Sequence, residues 1–396
     1  MNSQPLIPGA PTRDAGSSPA PATTAWRPAA AGQKPVFASI PTIHAARPVP
    51  DLPDLDIWDA WPLERASGAV ALVERAQLWM ALCAPWRADP DERHHIARIR
   101  LFSERAGAWR DHGDLFPDGF TPGSREWSGS AILAECGRRV TVYFTATGER
   151  GSAVGSFRQR IFETTGQIGC ADGGFICSGW SAPQECFVAD GVHYLDYDGL
   201  SGVPGTIKGF RDPGYFRDPA DGQAYLFFTG TDAHSHSPWN GVIGVAMQDR
   251  AQPSGWRLLP PVLSAVGTNN ELERPHMRCA GGRYYLFWST QAKTFAPTVG
   301  EWPTGLYGMV ADSPLGPFRP LNGTGLVAGN PPERPYQAYS WWVMSDLGVA
   351  SFVDIPEPCT PSQFAAPAFR RSHFVGGAAP LFHLALSGDT ASVRRD

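Results

Sequence analysis

The sequence predicts an all-β protein, a five-bladed β-propeller with a negatively charged central pocket. Three observations support this prediction. The 396 residues are 42% hydrophobic and 11% aromatic, which is enough for one large core. The 43 glycines and 38 prolines imply many tight turns, while helical periodicity is weak apart from short turns near residues 89–96. A hairpin-like unit also recurs five times along the chain.

Each unit begins with a short polar or aromatic motif that leads into a β-type run, followed by a glycine-containing turn and further β-type sequence. The motifs occupy residues 56–63, 126–133, 210–216, 271–277 and 339–344. The sequence after the turn, rich in Tyr, Phe, Trp and Val, occupies residues 69–83, 140–146, 224–230, 284–290 and 349–354. Radially stacked sheets bury both faces on their neighbours, which explains this apolar composition.

A β-sandwich would also contain many short strands, but it does not predict a polar motif at the start of every unit. In a propeller the first strand of each blade lies innermost, so the five motifs would converge on one pocket. We therefore expect a single catalytic propeller over residues 25–396. The Pro-, Ala-, Ser- and Thr-rich residues 1–24 are expected to form a flexible tail.

Charge and hydropathy exclude several classes of partner. The net charge is -5, the pI is about 6.1, and no basic run occurs, which argues against nucleic acid and acidic membrane surfaces. No stretch of 18 apolar residues is present, so no membrane-spanning helix is expected. The first residues also lack the pattern of a standard secretory signal.

Cysteine and histidine patterns do not indicate a metal or redox centre. The 7 cysteines form no CxxC pair, and their odd number leaves at least one thiol unpaired. A disulfide among Cys170, Cys177 and Cys186 remains open. The histidine pairs have no acid at ligand spacing and are expected to be solvated loop residues; they are His94 with His95 and His234 with His236.

The five motifs would collect acids, arginines and aromatic residues in the pocket. They contribute Asp59, Asp212, Glu271, Glu273, Arg211, Arg274, Trp58, Trp61, Trp127, Tyr339 and Trp341. A single acidic motif is more often a turn or a structural ion pair. Acids at equivalent places in the repeat favour a site, because clustered carboxylates are electrostatically costly. Paired carboxyl groups with aromatic faces are typical of glycosidic bond cleavage.

These motifs resemble the signature blocks of glycoside hydrolase family 68, the levansucrase and β-fructofuranosidase family, in its Gram-negative branch. The main blocks are WDAWPL (58–63), EWSGS (126–130), FRDP (210–213) and ELERP (271–275). Further agreement occurs at RQR (158–160), WNG (239–241), LGPF (315–318) and LNGTGL (321–326). The blocks occur in the family's order, from about residue 26 to the end of the chain.

The resemblance implies a role for each matching residue. Asp59 matches the nucleophile that forms a covalent fructosyl-enzyme, Asp212 the transition-state stabiliser, and Glu273 the general acid/base. Sugar binding is implied for Trp58, Trp127, Ser128, Arg211, Glu271, Arg274 and Tyr339. We expect Arg211 to keep Asp59 ionised, and crowded carboxylates to keep Glu273 protonated. A covalent intermediate predicts net retention.

The chain departs from the family pattern at three places. Gln291 stands where many members carry Arg or His beside the acceptor sugar, and Trp341 stands where others often have His. Residues 207–209 (IKG) replace the acidic calcium loop of Gram-positive members. We therefore expect no structural Ca²⁺, no other metal and no cofactor.

The expected function is β-fructosyl transfer from sucrose to sugar acceptors or water, forming levan or fructooligosaccharides. Gln291 motivates a mainly hydrolytic, invertase-like β-fructofuranosidase as the alternative. A non-catalytic sugar-binding propeller would have lost one of the three acids, and all three are present. The expected partners are sucrose and sugar acceptors. The family resemblance also implies an extracellular or periplasmic location. Because no standard signal is visible, either the export route is unusual or the numbering begins after processing.

Overall fold

The computed structural model describes residues 21–28, 37–44, 50–152, 155–171, 173–199 and 206–394. Strands are numbered in chain order, beginning with two short N-terminal strands, β1 (Thr24–Ala25) and β2 (Ala38–Ser39). The predicted tail lies outside the described residues as far as residue 20. Thr23 donates a hydrogen bond of 2.6 Å to the carbonyl of Pro261, so packing begins before the predicted boundary.

Blade I is an antiparallel sheet in the order β3-β5-β6-β7, with β4 paired to β5. Its strands are β3 (Leu55–Arg65), β4 (Leu72–Val73), β5 (Ala76–Pro85), β6 (Arg98–Arg105) and β7 (Ala108–Asp114). A 3₁₀ helix, η1 (Pro90–His95), joins β5 to β6 where short turns were predicted. Asp89 caps it by accepting a hydrogen bond from the Asp91 amide.

Blade II has the order β8-β9-β10-β11, and β12 also pairs with β10. Its strands are β8 (Arg125–Leu133), β9 (Arg139–Thr147), β10 (Gln159–Ala171), β11 (Gly174–Ser178) and β12 (Gln184–Phe187). Short parallel pairing of β3 with β8, at Leu63 opposite Ala131, connects blades I and II.

Blade III consists of β13 (Arg211–Arg217), β14 (Ala224–Thr231), β15 (Gly241–Gln248) and β16 (Trp256–Ser264). Strand β1 adds to its outer edge in parallel with β16. Every residue of β14 is buried, as expected for a strand covered on both faces.

Blade IV consists of β17 (Glu273–Ala280), β18 (Arg283–Thr290), β19 (Gly305–Ala311), β20 (Arg319–Pro320) and β21 (Leu326–Gly329). Strand β2 pairs in parallel with β21. Its connections contain three 3₁₀ helices, η2 (Ala292–Thr294), η3 (Pro297–Val299) and η4 (Leu321–Gly323).

Blade V consists of β22 (Ala338–Val343), β23 (Gly348–Val353), β24 (Phe382–Ser387) and β25 (Thr390–Val393). Two short α-helices, α1 (Pro361–Ala365) and α2 (Pro367–His373), lie between β23 and β24. Thr360 caps α1 through a capping box with Gln363.

The predicted five-bladed propeller is confirmed, and each predicted motif forms the first strand of a blade. Apolar clusters fill the spaces between neighbouring blades, and one of them joins residues of blades V, I and II. All 7 cysteines are free, which answers the open question about Cys170, Cys177 and Cys186. Within the described ranges, no helix is both long and apolar enough to cross a bilayer.

Candidate active site

The inner strand of every blade carries a β-bulge at the same level. The ladder to the next strand slips between Trp58 and Trp61, Trp127 and Gly129, Arg211 and Gly214, Glu273 and His276, and Tyr339 and Trp342. A bulge leaves a residue unpaired and redirects its side chain. The five bulges therefore bring one residue from the same strand position of each blade to one level around the propeller axis.

The bulged residues form what we call the bulge ring: Asp59, Ser128, Asp212, Arg274 and Ser340. Four of them have positive φ angles, 46° at Asp59, 60° at Asp212, 52° at Arg274 and 63° at Ser340. Non-glycine residues rarely adopt this conformation, at a cost of about 1–3 kcal/mol each, and such strain concentrates at functional sites. The residues before the bulges, Trp58, Trp127, Arg211, Glu273 and Tyr339, form the pre-bulge ring.

The rings correct the expected symmetry of the acids. Asp59 and Asp212 are equivalent, because both occupy bulge positions. Glu273 lies one residue earlier, and its counterpart in blade I is Trp58. The three acids that the sequence predicts to be catalytic therefore come from two levels of the propeller rather than from one repeated position.

One cavity of about 430 Å³ lies at the two rings, within the size range of small-molecule sites. It is lined by ten of the eleven predicted site residues: Trp58, Asp59, Trp127, Ser128, Arg211, Asp212, Glu271, Glu273, Gln291 and Tyr339. Six acidic and four basic residues line it, in agreement with the predicted negative pocket. The eleventh, Arg274, is buried behind the lining.

Asp59 is paired with a different arginine from the one expected. Arg274 and a hydrogen bond from Ser340 both favour the ionised carboxylate. Arg274 Nη1 in turn donates to Ser340 Oγ at 2.5 Å, and Nη2 donates to the carbonyl of Ala60 at 2.7 Å. Burial outweighs these effects and raises the pKa of Asp59 to about 6. Arg274, and not the expected Arg211, is thus the arginine that favours ionised Asp59, because Arg274 and Asp59 both belong to the bulge ring.

Asp212 is held by neighbours on both carboxylate oxygens. Ser128 Oγ donates to Oδ1 at 2.6 Å, and Thr229 Oγ1 donates to Oδ2 at 3.1 Å. The Arg274 amide lies 3.3 Å from Oδ2, and Arg211 Nε lies 3.4 Å from it. Burial still raises the pKa of Asp212 against the attraction of Arg211. The carboxylate is thus fixed in orientation.

Arg211 bridges the remaining acids. Its Nη2 lies 3.1 Å from Glu273 Oε1 and 3.4 Å from Glu271 Oε1. The Tyr339 hydroxyl donates a hydrogen bond to Glu273 Oε2. Burial raises the pKa of Glu271 to about 7 although Arg211 opposes this. Glu273 has 19% of its side chain exposed, against 2% for Glu271, so it faces the open cavity. Proton donation by Glu273 stays a prediction.

His94 corrects the expectation of a solvated loop histidine, because it lines the cavity. Its ring packs edge-on against Trp58 at 5.5 Å, and its carbonyl accepts a hydrogen bond of 2.9 Å from Trp127 Nε1. Burial and Arg93 lower the pKa of His94 to about 3, so the ring is neutral. The other three histidines of the two pairs are exposed as expected.

Two tryptophans expected in the pocket lie elsewhere. Trp61 and Trp341 are completely buried and belong to the apolar clusters between blades. They follow the bulged positions, where the chain returns to regular pairing and side chains point into the blade interfaces.

The family model described as Levansucrase/Invertase matches residues 20–240 and 233–395. The chain belongs to this family. A levansucrase of Pseudomonas syringae pv. actinidiae is 31% identical over 381 residues, covering 86% of this chain and 83% of the relative. A levansucrase of Zymomonas mobilis is 31% identical over 389 residues, covering 89% and 88%.

Solved structures of levansucrase-family enzymes share the fold. An inulosucrase from Halalkalicoccus jeotgali bound to kestose has a TM-score of 0.83 and 37% identity, covering 94% of this chain and 95% of that one. A levansucrase from Gluconacetobacter diazotrophicus has a TM-score of 0.77 and 26% identity, covering 94% and 90%. This levansucrase-family chain is therefore a fructosyl-transferring enzyme.

Several cavity residues of this levansucrase-family enzyme were not identified from its sequence. They are Asp91, Arg93, Lys293, Thr304, Tyr336, Asp354, Phe364 and Arg370. Most lie in connections outside the five motifs, so no repeated pattern marks them. Among the described residues, no group of three His, Cys, Asp or Glu side chains is placed to hold a metal ion.

Proposed function

We propose that the enzyme transfers the β-fructosyl unit of sucrose to sugar acceptors or to water, with net retention. The observation that carries this proposal is the convergence of Asp59, Asp212 and Glu273 on one cavity. Cleavage of a glycosidic bond with retention needs a carboxylate nucleophile and a second carboxyl group that exchanges a proton. The family membership supplies the fructosyl chemistry.

In the first half-reaction, an Asp59 oxygen attacks the anomeric carbon of the fructosyl unit. The bond to the glycosidic oxygen breaks, Glu273 gives that oxygen a proton, and glucose leaves. Asp212, fixed by Ser128 and Thr229, accepts hydrogen bonds from fructosyl hydroxyl groups as positive charge develops on the ring.

In the second half-reaction, Glu273 removes a proton from the incoming hydroxyl group, which attacks the same carbon from the opposite side. The bond to Asp59 breaks and the carboxylate is restored. Hydrogen bonds from Tyr339 and Arg211 to the two Glu273 oxygens orient the carboxyl group for this proton transfer. A sugar acceptor gives an oligosaccharide or levan, and water gives fructose.

Gln291 supports a second candidate, a mainly hydrolytic enzyme. It lines the cavity with a neutral side chain where charged groups are common in the family. The hydrolytic enzyme would release fructose and glucose in equal amounts at high sucrose. Either candidate is expected to act outside the cytoplasm, as the family resemblance implies.

The test is glucose release from sucrose by Asp59→Asn and Glu273→Gln. Each change keeps the shape of the side chain and removes the nucleophile or the proton carrier. We expect glucose release to fall at least about 10³-fold in both variants. Asp312→Asn and Glu92→Gln, which alter acids outside the cavity lining, should retain normal rates. Near-normal turnover by either active-site variant would refute the assignment.

A further inference from the structure

The outer part of the cavity is walled by the helical pair α1–α2. Arg370 on α2 holds this wall against η1, with Nη2 at 3.2 Å from Asp89 Oδ1 and Nη1 at 2.6 Å from Asp91 Oδ2. Phe364 on α1 stacks on Tyr336 with ring centroids 3.8 Å apart and an angle of 6°. Both aromatic residues line the cavity. Two ion-pair contacts therefore connect the wall to η1, and ring stacking connects it to Tyr336.

Asp354 lies on the same side of the cavity and is unused by the proposed mechanism. It directly follows β23, and its backbone is held by hydrogen bonds of 3.0 Å to the Gln337 carbonyl and from the Val375 amide. Within the described part of the chain, its carboxylate receives no hydrogen bond and forms no ion pair. A half-buried carboxylate that lines a cavity without a partner has its acceptor capacity available to a ligand.

We propose that Asp354, with the Tyr336–Phe364 pair, forms a subsite that binds the acceptor sugar and favours transfer over hydrolysis. This inference rests on the proposed function. A carboxylate accepts hydrogen bonds from hydroxyl groups of a sugar, and the aromatic pair offers apolar surface to its C–H groups. A single water molecule cannot span both contacts, so Asp354 favours the sugar over water when the two compete for the fructosyl-enzyme. It is a specificity-determining residue and not part of the catalytic triad.

The charge of Asp354 supplies a second readout. Burial raises the pKa of Asp354 to about 6, and Asp91 adds to the effect, whereas Arg93, Lys293 and Arg370 oppose it. The carboxylate is thus ionised above about pH 6 and is the better acceptor there. Partition between sugar and water occurs after the fructosyl-enzyme has formed. The ratio of transfer to hydrolysis is therefore insensitive to protonation of Asp59.

The experiment compares Asp354→Asn and Asp354→Ala with the unaltered enzyme at high sucrose. Released glucose counts all turnovers, free fructose counts hydrolysis, and their difference counts transfer. We expect the transfer-to-hydrolysis ratio to fall at least about five-fold, as for loss of a hydrogen bond to a charged group, and glucose release to fall by less than the ratio. In the unaltered enzyme the ratio should rise with pH through about 6. In Asp354→Asn it should stay flat.

Asp312→Asn is the matched control, since it removes an exposed acid that does not line the cavity. An unchanged ratio in both Asp354 variants overturns the subsite, and so does a loss of glucose release that leaves the ratio constant. If Asp354→Ala fails to fold, the near-isosteric Asp354→Asn still decides. Equal glucose and fructose from the unaltered enzyme would overturn the subsite while leaving sucrose cleavage intact. No glucose at all would refute the proposed function itself.

Discussion

Asp59 combines two demands that oppose each other. As the proposed nucleophile it must be ionised to attack carbon, yet burial raises its pKa to about 6. Arg274 and Ser340 limit this rise, and both are members of the same bulge ring as Asp59. The nucleophile is therefore tuned by residues of two other blades, more than 200 positions away in sequence.

The acid limb of the pH profile should report this tuning. Below about pH 6, the rate constant kcat/KM for glucose release should fall about ten-fold per pH unit, because protonated Asp59 cannot attack. Ser340→Ala removes a hydrogen bond that lowers the pKa of Asp59, so the limb should move to higher pH. Initial rates between pH 4 and 8 measure it. A limb at the same pH in Ser340→Ala would show that Ser340 does not influence Asp59.

The sequence predicts individual site residues better than their contacts. Nine of the ten predicted residues that line the cavity belong to motifs at the starts of the inner strands, and the tenth, Gln291, directly follows β18. The predicted partner of Asp59 was wrong. The sequence places Arg211 in the same pocket as Asp59, but it does not show that Arg274 lies at the same level of the bulge ring. Ser340 lies in the fifth motif but was not identified, because nothing in the sequence shows that the residue after Tyr339 contacts Asp59. His94 was expected to be solvated, because its short 3₁₀ helix resembles an ordinary polar connection in sequence.

At the scale of strands, the five bulges cannot be predicted from hydrophobic periodicity. A bulge inserts one residue without changing the apolar character of its neighbours, so the run looks continuous in sequence. The inner strands were predicted to within two residues of their observed starts. The third and fourth strands of the blades were not identified, because their repeats carry no polar motif. Which side chains lie at the same level of the cavity could be determined only from the observed strand register.

One buried ion pair, at residues that follow the bulges in sequence, connects three of the inner strands. Arg278 on β17 lies 2.5 Å from Glu64 on β3, and Trp342 on β22 donates to the same carboxylate at 3.2 Å. Arg278 Nε also donates to the Val343 carbonyl. The two charged side chains are only 3% and 5% exposed. This cluster connects blades I, IV and V near the axis.

Glu64→Ala should lower the free energy of unfolding by about 3–5 kcal/mol, because it leaves the Arg278 guanidinium buried without its counterion. Denaturant unfolding followed by tryptophan fluorescence measures the change. Asp312→Ala, which breaks an exposed pair with Arg319, should change stability by about 0.5 kcal/mol or less. Equal effects of the two variants would mean that the buried pair does not support the propeller.

At the scale of the whole molecule, the ring must close between blades V and I. Within the described residues, no strand of blade V pairs with a strand of blade I. Trp342 and Phe352 instead join the apolar cluster of blade I, and the Gly377 amide donates to the Ile57 carbonyl at 2.9 Å. The helical pair α1–α2, which lines part of the cavity, also lies at this junction.

The closing contact is a two-pronged ion pair. Arg371 on α2 donates to both oxygens of Asp56 on β3, at 2.8 and 2.9 Å, and Asp56 is only 3% exposed. This bidentate geometry requires the planar guanidinium group, so a lysine cannot reproduce both hydrogen bonds. The same helix carries Arg370, so closure of the ring and placement of the cavity wall depend on adjacent residues.

Arg371→Ala should therefore lower the free energy of unfolding by about 3–5 kcal/mol, since it leaves the Asp56 carboxylate buried and unpaired. Arg371→Lys should lower the free energy of unfolding by less, because it keeps the positive charge and loses only the bidentate geometry. Denaturant unfolding of both variants, beside Arg319→Ala as an exposed control, measures the order of stability. Below the unfolding transition, glucose release should persist, since Asp59 and Glu273 are held by other contacts. If Arg371→Ala were as stable as Arg319→Ala, apolar packing alone would close the ring.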